Sequence, residues 1–320
     1  MEHKNVWDTR YISFSASGSH GIAFMGVLAC LEQDTDRYTY WRNQLKGVAG
    51  TSGGSIAALA VALSLSAEDR NECLLPLGNF ENMFSDVDIS LLINKYGAND
   101  GDEFKSAIEG ILVKGGMSAT STLEDIHRLL RLKVVFVAHD LMSASQLYLS
   151  HETFPSMKVS DAIFSSCCIP GIFTPFQLSP SKTLCDGCLC EYLPMCFPLE
   201  ECLFVLIPLN FKPRKGPLDS WQSYLTSIVQ ASLSPQRKTL QNISDNYCCI
   251  EVAGTEELPT IIMNMDNVLM EMLIQCGYAA SIPVVYPQIH GVMEDLVSVL
   301  LRSSTDVEAV PPYVVNDETC

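Results

Sequence analysis

Residues 45–54, Leu45-Lys46-Gly47-Val48-Ala49-Gly50-Thr51-Ser52-Gly53-Gly54, decide the fold. The apolar run Leu45 to Ala49 reads as a buried strand, and Ser55 to Leu65 reads as a helix. A serine on the sharp turn between two such elements has little room around its backbone. The residues two before and two after it must therefore be small, and both are glycine here. Such a turn lifts the hydroxyl above the sheet, where the helix N-terminus supplies free N–H groups and a partial positive charge. Gly50, Gly53 and Gly54 then form a nucleophile elbow with Ser52 as nucleophile. A tight turn carrying a satisfied surface serine would have the same five residues, so the surroundings must decide.

Upstream, Tyr11 to Phe14 is an aromatic and β-branched run that suits a buried strand. It runs into the small-residue cluster Ser15-Ala16-Ser17-Gly18-Ser19-His20-Gly21, and Ile22 to Leu31 resumes a helical pattern. A strand, a small-residue loop and a helix make a nest whose N–H groups converge on an oxyanion or a phosphate. No Gly-Lys-Ser/Thr closes the loop, which excludes a Walker phosphate loop. The polar and aromatic stretch Asp34 to Asn43 connects this unit to the next. Two successive strand-loop-helix units imply parallel strands with right-handed crossovers, hence an α/β layer fold with its site at the carboxyl ends of the strands.

Downstream, Leu74 to Met117 carries helical runs at Ile89 to Ile93 and Phe104 to Leu112, broken by glycines, and reads as a helical excursion beside the site. Thr122 to Leu130 is a short helix capped by Ser121 or Thr122, and Lys133 to Ala138 is the strand of a third unit. Ser160 to Cys168 is a helix that Pro170-Gly171 stops. In Thr183-Leu184-Cys185-Asp186-Gly187-Cys188 an acid sits on a glycine turn after an apolar approach. Cys202 to Leu209 is a further strand, and Trp221 to Ala231 and Asn267 to Cys276 are amphipathic helices, the second stopped by Gly277. One domain is expected over residues 10–281, with 282–320 a peripheral tail.

Composition removes several function classes. Of the 320 residues 48% are hydrophobic, enough for a sizeable core. Twenty Lys and Arg against 37 Asp and Glu give a net charge of -17, which argues against nucleic-acid binding. The 13 cysteines include two adjacent pairs and follow no regular framework, so reduced thiols in an intracellular protein are expected. Met1 to Arg10 contains no apolar core of a secretory signal. Apolar stretches such as Ile56 to Leu65 and Cys202 to Leu209 fall short of the ~20 residues of a membrane span, so the expectation is a soluble chain touching membranes only peripherally.

Three stretches together, Ser15 to Gly21, Gly50 to Gly54 and Asp186-Gly187, resemble the patatin-like phospholipase family in order and spacing. Val134 to Leu141 and Ser165 to Phe173 are similar to its connecting segments, so the resemblance covers roughly residues 11–280. The helical excursion resembles those of bacterial and viral members. The resemblance implies a three-layer α/β/α fold with a central, mostly parallel sheet, and a Ser-Asp dyad that hydrolyses fatty-acyl esters. On these positions Ser52 is the nucleophile, Asp186 the base with Gly187 as its turn, and Ser17, Gly18, Ser19 and Gly21 the oxyanion loop. No metal or cofactor is implied. The partner implied is a phospholipid or other acyl lipid at a membrane or micelle surface. The chain departs from the family pattern at Ala16 and Ser17, which replace glycines, at His20, which replaces Lys or Arg, and at Cys188, which replaces Ala or Gly. A positive φ at Ser17 would cost about 1–2 kcal/mol.

Other readings use the same residues. An α/β-hydrolase triad requires the order Ser, Asp, His, and His290 is the only histidine after Asp186. His139-Asp140 ends a strand and has the residue types of a catalytic pair. Cys185-x-x-Cys188, with Cys190, Cys196 and Cys202 nearby, has zinc spacing but no second ligand pair. A lipid-binding relative that kept the fold and lost turnover would also fit the altered glycine loop.

Overall fold

The computed structural model describes residues 5–78, 89–208, 227–228, 231–255, 258, 262 and 265–289. The expected helix Trp221 to Ala231 and the candidate base His290 lie largely or wholly outside the described residues. In chain order the main elements are β1 (Tyr11–Phe14), α1 (Ala23–Leu31), α2 (Thr35–Gln44), β2 (Gly47–Thr51) and α3 (Gly53–Ala62). Then come α4 (Ala67–Gly78), α5 (Ile89–Lys95), β3 (Gly97–Asn99), α6 (Asp102–Lys114), α7 (Leu123–Leu130), β4 (Lys133–Asp140) and β5 (Ser145–Leu149). The chain continues through α8 (Val159–Cys167), β6 (Gly171–Phe173), β7 (Phe176–Ser179), β8 (Lys182–Asp186), β9 (Cys202–Leu206), α9 (Arg237–Asn246), β10 (Cys249–Glu251) and α10 (Asn267–Val285).

The large sheet has the order β10-β9-β1-β2-β4-β8-β7, with β5 also paired to β4. Its first five strands run parallel, and β8, β7 and β5 join antiparallel. Side chains alternate across each strand, which divides the core in two. Ile12, Phe14, Val134, Phe136, Leu203 and Val205 face the larger cluster with α1, α3 and α8. Ala49, Val135, Phe204 and Leu206 face a smaller cluster under residues 188–199 and α9. The architecture is therefore mixed α/β with a central, mostly parallel sheet flanked by helices.

Three local expectations change. Asp34 to Asn43, read as a connection, is α2: the Asp34 side chain caps it by accepting from the Arg37 N–H, and Trp41 anchors it in the core. Its remaining residues are mostly polar, which hides the helical period. Gly97 to Asn99, inside the helical excursion, forms β3 and pairs with β6 in a separate two-stranded sheet. Gly277 does not stop a helix, because α10 continues to Val285 with Pro283 inside it. There α10 crosses α1 at backbone contact: a Cβ on Gly26 would collide with the Ile274 carbonyl, and one on Gly277 with the Ala23 carbonyl. The 281/282 boundary expected for the tail thus falls within α10. Among the described residues, α10 is long and apolar enough to cross a membrane by length and composition. Its Leu273, Gly277, Ser281 and Val285 are buried, with Gly277 set against α1.

Candidate active site

Strand register brings the two halves of the site together. Thr51, the last residue of β2, pairs with Val137 of β4, so Ser52 leaves the sheet level with Ala138. Across β4, Ala138 pairs with Asp186, the last residue of β8. The Ser52 turn and the Asp186 turn therefore flank one residue of β4, and Ser52 Oγ donates to Asp186 Oδ2 at 2.7 Å. His139, one residue on, pairs with Cys185, and alternation sends both to the opposite face from Asp186. The Asp140 carboxylate is occupied by the Met142 N–H, the Ser143 hydroxyl and Lys182. His139-Asp140 is thus not aimed at Ser52.

The elbow is tight for identifiable reasons. Ser52 has φ 52° and ψ -129°, a conformation that costs a non-glycine residue of order 1–3 kcal/mol. A Cβ on Gly50 would strike the Gly54 carbonyl, and one on Gly54 would strike the Ser15 carbonyl. The Ser52 N–H donates to Ser166 Oγ at 2.9 Å, and Ser166 Oγ lies 2.9 Å from Ser55 Oγ, which also bonds the Gly50 carbonyl at 3.0 Å. These serines fix the elbow from α8 and α3. Sequence reasoning passed over Ser166, although it stands in the quoted segment Ser165 to Phe173.

Asp186 is fully buried. Burial pushes its carboxyl up from 3.8 to about 6, against the opposing pull of the Cys188 N–H and the Ser52 hydroxyl. Its second oxygen, Oδ1, accepts the Cys188 N–H at 2.8 Å, and its own N–H donates to the Cys168 carbonyl at 3.0 Å. The carboxylate is held in one orientation with one oxygen left for Ser52. Gly187 packs under the Val137 carbonyl, where a side chain would not fit. Farther along, buried Glu191 accepts from Tyr148, Gln146 and the Met195 N–H, and its carbonyl accepts the Thr51 hydroxyl at 3.0 Å. This ties the segment after Asp186 back to the strand that leads into Ser52.

Buried Cys167 and Cys188 have thiols raised well above their ordinary value, chiefly by burial and then by the Asp186 charge, so both stay neutral. Among the described residues the cysteines form no disulfide. Among the described residues no group of three or more His, Cys, Asp or Glu is placed to hold a metal ion.

The small-residue loop forms a 3-10 turn, Gly18–Ile22. The positive φ falls on Gly18 at 54°, whereas Ser17 has φ -147°, so the strain considered for Ser17 does not arise. The N–H groups of Ser15, Ala16 and His20 are used by the Val205, Tyr192 and Ser17 carbonyls. Those of Ser17, Gly18 and Ser19 have no protein acceptor among the described residues. Ser19 Oγ accepts the Ile262 N–H at 2.9 Å and so pins the loop. Gly18, Ser19, Gly21 and Gly53 border an open, narrow cleft that continues between Met25, Leu28, Ile56, Ala57, Leu74 and Leu77. The cleft is apolar beyond its mouth, a lining the sequence could not reveal because α1, α3 and α4 each contribute part of it.

The family model for patatin-like phospholipase matches residues 12–195. Among solved structures, VipD from Legionella pneumophila is 13% identical with a TM-score of 0.61, the match covering 87% of this chain and 67% of VipD. The type III effector protein ExoU is 14% identical with a TM-score of 0.47, covering 87% and 53%. ExoU in complex with SpcU from Pseudomonas aeruginosa is 15% identical with a TM-score of 0.41, covering 87% and 53%. The chain therefore spans about two thirds of VipD and about half of ExoU. At such identity the likeness to VipD speaks for the fold alone. No curated protein matches the sequence significantly.

Proposed function

The chain belongs to the patatin-like phospholipase family, a family of lipid hydrolases, and on that premise we propose that it cleaves fatty-acyl esters of phospholipids or related lipids through Ser52 and Asp186. The observation that carries this reading is the 2.7 Å hydrogen bond from Ser52 Oγ to a fully buried carboxylate. A serine hydroxyl is a weak nucleophile until a base takes its proton. An ordinary carboxylate is a poor base for that task, and desolvation makes Asp186 a better one while leaving it ionised at neutral pH.

As Ser52 Oγ bonds to the ester carbonyl carbon, its proton passes to Asp186 Oδ2 and the carbonyl oxygen becomes an oxyanion. The N–H groups of Gly18 and Ser19, which have no acceptor among the described residues, favour that charge together with the N-terminal end of α3. Collapse breaks the ester C–O bond, and Asp186 returns its proton to the departing alcohol oxygen. Water then gives a proton to Asp186 as its oxygen bonds to the acyl carbon; the Ser52 Oγ–carbon bond breaks, Asp186 returns the proton to Oγ, and the free fatty acid leaves with the water oxygen. The apolar cleft beside Gly18 and Gly53 has the chemistry to receive the acyl chain.

A fluorophosphonate probe and a neutral phosphatidylcholine micelle assay test this together. The wild-type chain is expected to take the label at Ser52 and release fatty acid, and Ser52→Ala to do neither while staying folded. Hydrolysis that survives Ser52→Ala would discard the assignment.

A further inference from the structure

Ser17 stands where the family resemblance leads one to expect a glycine, and its hydroxyl is out of place in a resting protein. The residue is 2% exposed, and among the described residues Ser17 Oγ is buried with no hydrogen-bond partner. A hydroxyl withdrawn from water without a partner costs about 1–3 kcal/mol. The hydroxyl lies in the seam between the small-residue loop and the elbow. It sits 2.7 Å from where a Cβ would project from Gly21, and closer still to the position a Cβ would take on Gly53. Both glycines border the cleft, and Gly53 is bonded directly to Ser52. Side chains at either position would fill the space that the hydroxyl now occupies.

We propose that the Ser17 hydroxyl is a side-chain donor to the tetrahedral oxyanion formed at Ser52, acting beside the backbone N–H groups of the loop. This rests on the hydrolase reading above. Ser17 has a negative φ, and a rotation about its Cα–Cβ bond leaves the backbone where it is. It also gives up no hydrogen bond by leaving the seam. The rotation carries the O–H toward the cleft, where the developing negative charge offers the acceptor that the resting protein lacks. A hydroxyl donating to an oxyanion makes a short, charge-assisted bond, stronger than one to the neutral ester. The gain therefore appears in the transition state and not in substrate binding.

Ser17→Ala separates this role from a structural one. The variant keeps the Cβ and removes only the oxygen, so it is expected to melt at the same temperature as wild type or above it. On a soluble acyl ester, kcat is expected to fall about 10²–10³-fold with KM within twofold, the loss seen when one oxyanion donor is removed. Inhibition by a trifluoromethyl ketone analogue should weaken in parallel, while affinity for the product fatty acid stays unchanged. A Ser17→Ala protein with wild-type or higher kcat would overturn the proposal, as would one with a lowered melting temperature, which would give the hydroxyl a structural partner. Should Ser52 take no label and the wild type turn over no ester, the hydrolase reading fails first and this proposal with it. Full wild-type turnover matched by Ser17→Ala removes the Ser17 role alone.

Discussion

At the scale of single residues, Ser52 and Asp186 are both held in states that a free peptide avoids. Ser52 is strained in φ, and Asp186 carries its carboxylate where water does not reach. Because the folded Asp186 titrates near 6, above its ordinary 3.8, the fold is favoured by this group below about pH 4. That contribution is lost as the pH rises through 6, where the carboxylate ionises in place. Activity by the proposed mechanism runs the other way, since only the ionised form can accept the Ser52 proton. Two outcomes follow at this scale. The logarithm of kcat should rise with a slope near one up to about pH 6 and then level off, as measured on a soluble ester. Asp186→Asn should lower kcat by about 10²–10⁴-fold, the ordinary worth of a general base, and at pH 7.5 should melt no lower than wild type. A flat pH profile between 5 and 7 would refute Asp186 as the base.

Elements place these residues through backbone approach that only glycine allows. The pentapeptide is legible because Gly50 meets the Gly54 carbonyl within its own turn; Gly54 is instead kept small by the Phe14 and Ser15 carbonyls of the preceding unit. The short helix α7 is legible too, since Thr122 and Asp125 make a reciprocal capping box. Gly277 shows the opposite case. In sequence it looks like a helix stop, whereas its small size serves the crossing of α10 over α1, a contact with residues some 250 positions away. Gly277→Ala is expected to destabilise the protein by at least about 1–3 kcal/mol, because the collision is with backbone that has nowhere to go. Gln275→Ala, exposed on the same helix, should change stability by less than about 0.5 kcal/mol. Thermal melts of both variants check this, and equal melting temperatures would show that α10 does not pack as described.

Over the whole molecule, the net charge of -17 bears on how the proposed hydrolase would approach a lipid surface. At about 10 mM salt the field of such a chain extends roughly 30 Å, and at 150 mM about 8 Å. Hydrolysis of anionic vesicles is therefore expected to be slower than that of neutral micelles at low salt, and the gap to narrow as salt is added. Rates that are equal and insensitive to salt would mean that a local surface, and not the net charge, governs approach.

The family and the layer fold were written in short stretches of sequence, as were the positions Ser52 and Asp186 that the proposed mechanism uses. Each depends on steric rules that act within a few residues: a strand, a turn that admits only glycine, a helix. What only the folded chain decided is everything that needs distant segments to meet. The 134-residue span from Ser52 to Asp186 closes because β4 pairs with β2 on one side and β8 on the other. The raised pKa of Asp186 comes from burial by several elements, and the apolar cleft from three helices that are separate in sequence. The empty-handed hydroxyl of Ser17 is of the same kind, since a serine in a loop reads as solvated until Gly21 and Gly53 close around it.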